Sequence, residues 1–494
     1  MKIKHILLAC VMLALGTSCE KEFLDNQSTT SPTLDTYYKN ASEVRGATAL
    51  LYTTVWGDWS DKAFTSVGDV LGGTITGTQG NDQYNSFYNF NIQSTDGLVG
   101  ATWRSCYKAA GSASILIKVF ENKKKTLGDE AFLTQGIAEA RFIRAFAYFY
   151  IGRTFGDAPI VEDPAALAEP GKYLVPRYKQ ADVLRFAIED LKFAEANLPV
   201  DAFEPGRVTK YSAKGMMSKI YLYLKDYVNA KAKAKEVIDY ANSTGKIALA
   251  DYNALFTSSS VSRNNKETLF ALRWEASLVW NGGNRFGIYA APMALNRPAP
   301  SGGDGYSSIV PSFAVLNSTT GYTPGDKRRE WSVMEHGFTR ADWKNASYPN
   351  GFKYDTTGKK TDEVFTFTGT RSNIQKYVAG PNRAGEALSA NGHNSISTQI
   401  LRYADILLIY AEAVLAGGTS TSDPTALDAF NAVHTRANLT PVTTSITIDD
   451  ILHERKVEFA LKETTGLIFN ARDLKKQRQL LQSRKEEPFR VTER

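Results

Sequence analysis

Two stretches of this 494-residue chain set aromatic rings beside short amides, carboxylates and a guanidinium in loop-forming sequence. The first, 56–91, holds Trp56, Trp59, Asp69, Asn81 and Asp82; the second, within 258–396, holds Trp280, Asn281, Asn284, Arg285, Tyr289 and Tyr306. Indole and phenol faces stack on flat, weakly apolar surfaces, while Asn, Asp and Arg fork hydrogen bonds onto neighbouring hydroxyls. A sugar offers both features, so these residues are the candidate ligand contacts. Each ring also fits core packing, which is the stronger reading for Trp56 and Trp274, and Trp103 reads as core.

Other chemistry is poorly provided for. The five histidines are His5, His336, His393, His434 and His453, none paired at metal-ligand spacing, so neither a metal site nor a cofactor is expected. Nucleophile-elbow and phosphate-loop patterns are absent. Any chain this long holds two carboxylates, all that a glycoside hydrolase needs, so a hydrolase ranks third among the readings. The formal charge of +6 is small for the length and sits partly in the C-terminal tail, which argues against a nucleic-acid partner.

Loops of this kind need a rigid support, and hydrophobic periodicity supplies helices. Over 129–151, Phe132, Ile137, Ala140, Ile143, Ala147, Tyr148 and Ile151 occupy nearly every face, as in a helix buried on most sides, and Gly152, Gly156 and Pro159 stop it. Over 399–416, Tyr403, Leu407, Tyr410 and Val414 form one stripe that ends at Gly417-Gly418. Between 210 and 241, Tyr221, Tyr227, Ala230 and Ala234 flank a turn at Lys225-Asp226, similar to a tetratricopeptide helical hairpin. Further helices are predicted over 41–56, 102–121, 179–197, 424–437 and 448–462, with strand-like runs at 267–274 and 363–368. The expected fold is mainly α: tetratricopeptide-like hairpins forming a right-handed superhelical scaffold, with long irregular loops and a few short β-strands. A loop region as long as 258–396 is expected to be functional.

The N-terminus sets the compartment. Lys2 and Lys4 precede an apolar run from Ile6 to Leu15, closed by Gly16, Thr17 and Ser18 before Cys19, which predicts a signal peptide over 1–18. The run is about half of the ~20 residues that cross a bilayer. Cys19 resembles a lipobox cysteine, whose thiol receives a diacylglycerol and becomes the mature N-terminus. Cys10, after Leu7-Leu8-Ala9, also fits that spelling, but cleavage there would leave too short an apolar stretch for export. Residues 19–37 read as a lipidated flexible tether, and Glu20, Glu22 and Asp25 resemble the signal that sends lipoproteins of the Bacteroidetes type to the outer face. Cys106 is the remaining cysteine, so a large packed core rather than an intrachain disulfide is expected to stabilise the body over 38–461.

Four segments then carry a family resemblance. Arg141-Phe142-Ile143-Arg144-Ala145-Phe146-Ala147-Tyr148-Phe149 with Phe155-Gly156-Asp157-Ala158-Pro159, Leu401 to Ala413, Asn431 to Ala437, and Glu454-Arg455 to Glu458-Phe459 resemble, in order, the signatures of the SusD/RagB family of outer-membrane nutrient-binding lipoproteins. The resemblance implies a tetratricopeptide-like scaffold seated on a SusC-like TonB-dependent transporter at the cell surface, binding nutrient without catalysis. A glycan is the expected ligand, with peptide as the alternative, and a periplasmic protein-binding scaffold is the runner-up. Family members place ligand contacts in comparable loops, too variable to carry over residue by residue. The signature residues Gly156, Pro159, Tyr403, Arg436, Glu454 and Arg455 read as structural. Arg141, Arg144, Arg402, Asp405 and Glu412 lie within apolar helices, where a charge persists only if paired, so interhelix ion pairs are expected of them. Trp331 follows Asp326-Lys327-Arg328-Arg329, which resembles a structural motif of the family.

The chain departs from the family after Phe459. Members continue with a glutamate, a glycine, then Arg, aromatic, Asp, Leu and Arg, whereas this chain reads Lys462-Glu463-Thr464-Thr465-Gly466 and ends in a charged tail. Codons read from the third base of Leu461 permit Glu-Gly, then Asp or Asn, His or Tyr, and Arg-Phe-Asp-Leu-Gln-Arg. Residues 462–494 are therefore expected to be a frameshifted tail.

Overall fold

A computed structural model describes residues 37–461 except 78–81, 170, 277–281, 293–294, 296–304, 345–347, 356–370 and 381–392. The signal peptide, Cys19, most of the tether, the run 363–368 and the tail 462–494 lie outside the described residues. Helices dominate, and the strands are short and paired two by two.

Helix α1 spans Ala41–Ala49, α2 Gly97–Leu127, α3 Ala131–Phe155, α4 Gln180–Asn197, α5 Lys210–Tyr223 and α6 Tyr227–Thr244. Local chemistry explains their limits. Asp96 caps α2 by accepting from the Leu98 amide, and Gly128, at φ +87°, ends it. Thr209 and Ser212 form a reciprocal capping box on α5, and Gly245 closes α6 in the left-handed region. Only three residues join α2 to α3 and α5 to α6, which makes each pair an antiparallel hairpin. Each helix packs on the next from α2 to α6, and α8 (Tyr403–Leu415) then lies against α6, α9 (Pro424–Arg436) and α10 (Ile448–Phe459). Helix α3 is buried on almost every side, from Leu133 to Arg153, and forms the middle of the helical core.

Two predicted helices change character at one end. The stretch predicted as helix from 399 opens as strand β4 (Thr398–Arg402), antiparallel to β2 (Thr268–Leu272). All five β4 residues are buried, so a strand flanked on both faces satisfies their backbone better than a helix end would. The helix predicted over 41–56 stops at Ala49 and continues as short turns that swing Trp56 and Trp59 into the core.

The segment 258–396 was expected to be a solvent-facing platform. Much of its aromatic content instead builds a second hydrophobic core, with Phe286, Tyr322, Trp343, Phe352, Tyr354 and Tyr377 all buried. Short pairings hold it together, including β1 (Ile75–Gly77) with β3 (Ile309–Pro311). Among the described residues no helix is long and apolar enough to cross a membrane.

Candidate functional site

One cluster brings rings and hydrogen-bonding groups to a common surface. Tyr289 lies on the short helix α7 (Phe286–Ala290), and the chain from Tyr306 runs beside it through Tyr306 N–H to Ile288 O and Ser308 N–H to Tyr289 O, both 2.8 Å. The two phenol rings sit 6.2 Å apart at 38°. Tyr306 is 52% exposed, so one ring face is open to a ligand. The Tyr289 hydroxyl donates to Asp61 Oδ1 at 2.6 Å, and Arg285 lies 3.4 Å from Asp61 Oδ2. Burial, then the field of Asp61, pushes the Tyr289 phenol far up, so it stays a donor. The Lys62 amine stands 5.0 Å above the Tyr289 ring and donates to the side-chain oxygen of exposed Gln83.

Local sequence explains why these groups face outward. In the helical turn Trp59–Ala63 the end residues are buried, which leaves Asp61 and Lys62 on the opposite, partly open side. Behind them, Asn284 and Asn394 exchange backbone hydrogen bonds of 2.8 and 3.1 Å and tie the approach to α7 onto the strand leading to β4. Gly283 permits this contact, because a β-carbon there would come within 2.5 Å of His393 Cβ. Burial, then the charge of Arg285, lowers the His393 pKa, so its imidazole is neutral at pH 7. No group of three metal-ligating side chains occurs among the described residues.

Of the candidates read from sequence, Arg285, Tyr289 and Tyr306 come together here. Trp56 and Trp59 do not: both are fully buried, 5.3 Å apart and packed on Phe146. Burying an indole removes more apolar area from water than burying any other side chain, and α3 offers the aromatic wall to receive it. Asp69 is also buried; its Oδ1 accepts from the Leu461 amide at 2.8 Å and from the Thr74 hydroxyl, fastening the end of the described chain. Asn284 is buried, donating to Ile396 O and accepting from the Phe286 amide, so it shapes the loop rather than touching ligand. Trp274 is core, and its indole N–H donates to Thr398. Trp103 departs from expectation in the other direction: it is 36% exposed, lying on Tyr107 and Phe155. Trp331 is half-buried beside Tyr252. Asn81, Trp280 and Asn281 lie outside the described residues, as does the Asp82 side chain. Asp61, Lys62 and Gln83 were missed; the signal for the first two was their helical spacing opposite Trp59 and Ala63.

Comparison with known proteins gives this geometry a family. The model of the SusD family matches residues 266–465, and a model described as starch-binding, associating with the outer membrane, matches 23–222. The chain belongs to the SusD family. A SusD-like protein of Bacteroides ovatus is 29% identical over 471 residues, covering 94% of this chain and 81% of that protein. A crystal structure determined with a xylogluco-oligosaccharide is 28% identical, with a TM-score of 0.72 over 86% of this chain and 81% of the other. A laminarin-binding SusD-like protein, 20% identical, shares the fold at a TM-score of 0.69 over 92% of this chain and 95% of its own.

The SusD signature charges form ion pairs between elements. Arg144 grips Asp190 with two bonds of 2.7 Å, both side chains buried, while Arg141 reaches Asp190 and Glu121 at 3.5 Å. Asp405 takes Lys219 at 2.5 Å and Arg455 at 2.9 Å, and Glu412 lies 4.0 Å from Arg455. Arg402 and Arg436 clamp Glu267 and Glu458 between β2, β4, α9 and α10, and Arg328 joins Glu454 and Glu458 to Asp326. Burial alone would raise Glu458, but Arg436, Arg402 and Arg328 overcome it and hold the carboxyl well below the usual range. Gly156 ends α3 at φ +75°, and the Pro159 carbonyl accepts from the Tyr107 hydroxyl at 2.7 Å. Tyr403 is buried at the start of α8.

Proposed function

We propose that this SusD-family chain is a lipid-anchored receptor of the cell surface that captures a glycan on the Tyr289–Tyr306 platform. It then hands the glycan unchanged to a SusC-like TonB-dependent transporter. The observation that carries the reading is the half-exposed Tyr306 ring beside Tyr289, rimmed by Arg285, Lys62 and Gln83. An open ring with converging hydrogen-bond donors suits a sugar face and its oxygens, and none of these groups is arranged as a nucleophile with a base. The xylogluco-oligosaccharide in the solved structure that is 28% identical to this chain favours the same ligand class. Cys19 as the acylated residue and a tether of about 19 residues, reaching at most ~68 Å when fully extended, would keep this platform close to the transporter mouth.

Titration calorimetry of the mature chain against a glycan panel tests the binding step. Tyr306→Ala is expected to weaken binding by roughly tenfold, the value of one lost stacking contact, with no cleavage product formed. Unchanged affinity, or conversion of the glycan, overturns the reading. Protease shaving of intact cells tests exposure, and co-purification with a SusC-like transporter tests delivery.

A further inference from the structure

We infer that Asn373, fully buried beneath the platform, is the positioning residue that fixes how the Tyr289 and Tyr306 rings stand to one another, an inference that rests on the platform being the glycan site. Its side-chain amide donates to Ala290 O and to Ser307 Oγ, both at 2.9 Å. Those two acceptors belong to the residues that directly follow the platform tyrosines. One side chain therefore ties the end of α7 to the segment that carries Tyr306, at the level of both rings. Its Oδ1 accepts from the Tyr354 hydroxyl at 2.7 Å, and because Ala290 O can only accept, the amide fits one way round.

The backbone around Tyr306 depends on such a tie. Ser307 stands at φ +46°, in the left-handed region that a residue with a β-carbon holds only when neighbouring bonds over-determine it. Its amide donates to Ala291 O at 2.9 Å, and its hydroxyl oxygen takes the Asn373 bond. Here the chain passes from exposed Tyr306 to buried Ser307 and Ser308, so a change of backbone at this turn swings the ring. Gly305 precedes it because a β-carbon there would come within 2.1 Å of Pro292 O. The floor under the rings is fixed in its turn. Asn373–Ile374 pairs with Val333–Met334, the Gln375 amide donates to Ser332 O at 2.8 Å, and the Tyr377 amide donates to Phe256 O at 2.7 Å. Helix α7 rests on the same segment at Gly287, where a β-carbon would come within 2.2 Å of Tyr377 O. Asn373 thus anchors both rings to the second core and holds the pair in place before any ligand arrives.

Two measurements on the mature full-length chain test this. In hydrogen–deuterium exchange, Asn373→Ala is expected to speed the Tyr306 and Ser308 amides, which bond to Ile288 O and Tyr289 O, by roughly tenfold while α3 keeps its rates. The second is calorimetric titration with the tightest-binding member of a panel of xylogluco-, laminari- and malto-oligosaccharides. There Asn373→Ala is expected to weaken binding roughly tenfold beside an intact Tyr306, and less than about twofold in the Tyr306→Ala background. Ser307→Ala cuts the same link from its other end and is expected to shift both readouts the same way by roughly threefold, which keeps the test open should Asn373→Ala not fold. Unchanged platform amides, a rise shared equally by α3, or the same loss of affinity with and without the Tyr306 ring each overturns the inference. If no member of the panel binds through Tyr306, the glycan reading falls, and exchange alone decides whether Asn373 sets the ring pair.

Discussion

Asp61 holds the platform in shape, and its removal can be worked through quantitatively. The Tyr289 hydroxyl meets Asp61 at 2.6 Å, within the short range of charge-assisted O–H···O bonds. Bonds to ionised groups contribute about 1.5–3 kcal/mol, and because Asp61 keeps 26% of its side chain exposed, solvent screening places this one near the lower end, about 1.5 kcal/mol. Asp61→Asn preserves volume while removing the charge, and Tyr289→Phe removes the hydroxyl while preserving the ring. Each is expected to lower unfolding free energy by about 1 kcal/mol in urea titration, and the double variant to lose little more, a coupling of about 1 kcal/mol. In glycan titrations both should weaken binding by roughly threefold to tenfold, since the ring and Arg285 lose their common anchor. Single-variant losses that add to within about 0.3 kcal/mol, with affinity untouched, would refute the claim that this bond positions the platform.

Three other perturbations separate scaffold from site. Arg402→Met leaves Glu267 and Glu458 buried with Arg436 as their shared partner, so a loss of about 3 kcal/mol is expected by denaturant titration; a loss below about 1 kcal/mol would show the cluster to be dispensable. The same cluster sets an acid limit: Glu454 and Glu458 have depressed folded pKa values, so their contribution is complete above the unfolded value of about 4.5 and is lost as pH falls below it. Melting temperature should therefore fall steeply below about pH 4.5, and a flat profile there contradicts the assignment. Trp56→Phe, which removes the indole donor to Leu51 O, is expected to cost about 1–3 kcal/mol of stability without altering glycan affinity, whereas a loss of affinity at intact stability would return Trp56 to the ligand site. Sequencing the gene across codon 461 is expected to reveal a frame change against its relatives; an intact frame in a folded, full-length protein refutes a frameshifted tail.

Family and helical scaffold were legible in the chain because their signals are local. The periodicity of 129–151 and the Lys225-Asp226 turn depend on near neighbours, so α3 and the α5–α6 hairpin could be placed closely. Charges inside apolar helices likewise announced that partners must exist, because an unpaired buried charge is too costly. Which partner each would take was not written there: Arg402 meets Glu267 across 135 positions, and Asp405 meets Lys219 across 186.

The ring inventory shows where local reading ends. Trp59 and Tyr306 look alike in sequence, each an aromatic in loop-forming surroundings, yet one is sealed against Phe146 and the other half open. Only the packing of distant segments decides that difference, since exposure is fixed by what α3 and the second core leave uncovered. The strand β4 is the same case in backbone form, helical by its apolar run but extended once β2 supplies a hydrogen-bonding edge. The residues alone determined the kind of surface this protein could present; the fold determined that Asp61, Arg285, Tyr289 and Tyr306, drawn from segments more than 200 positions apart, would present it.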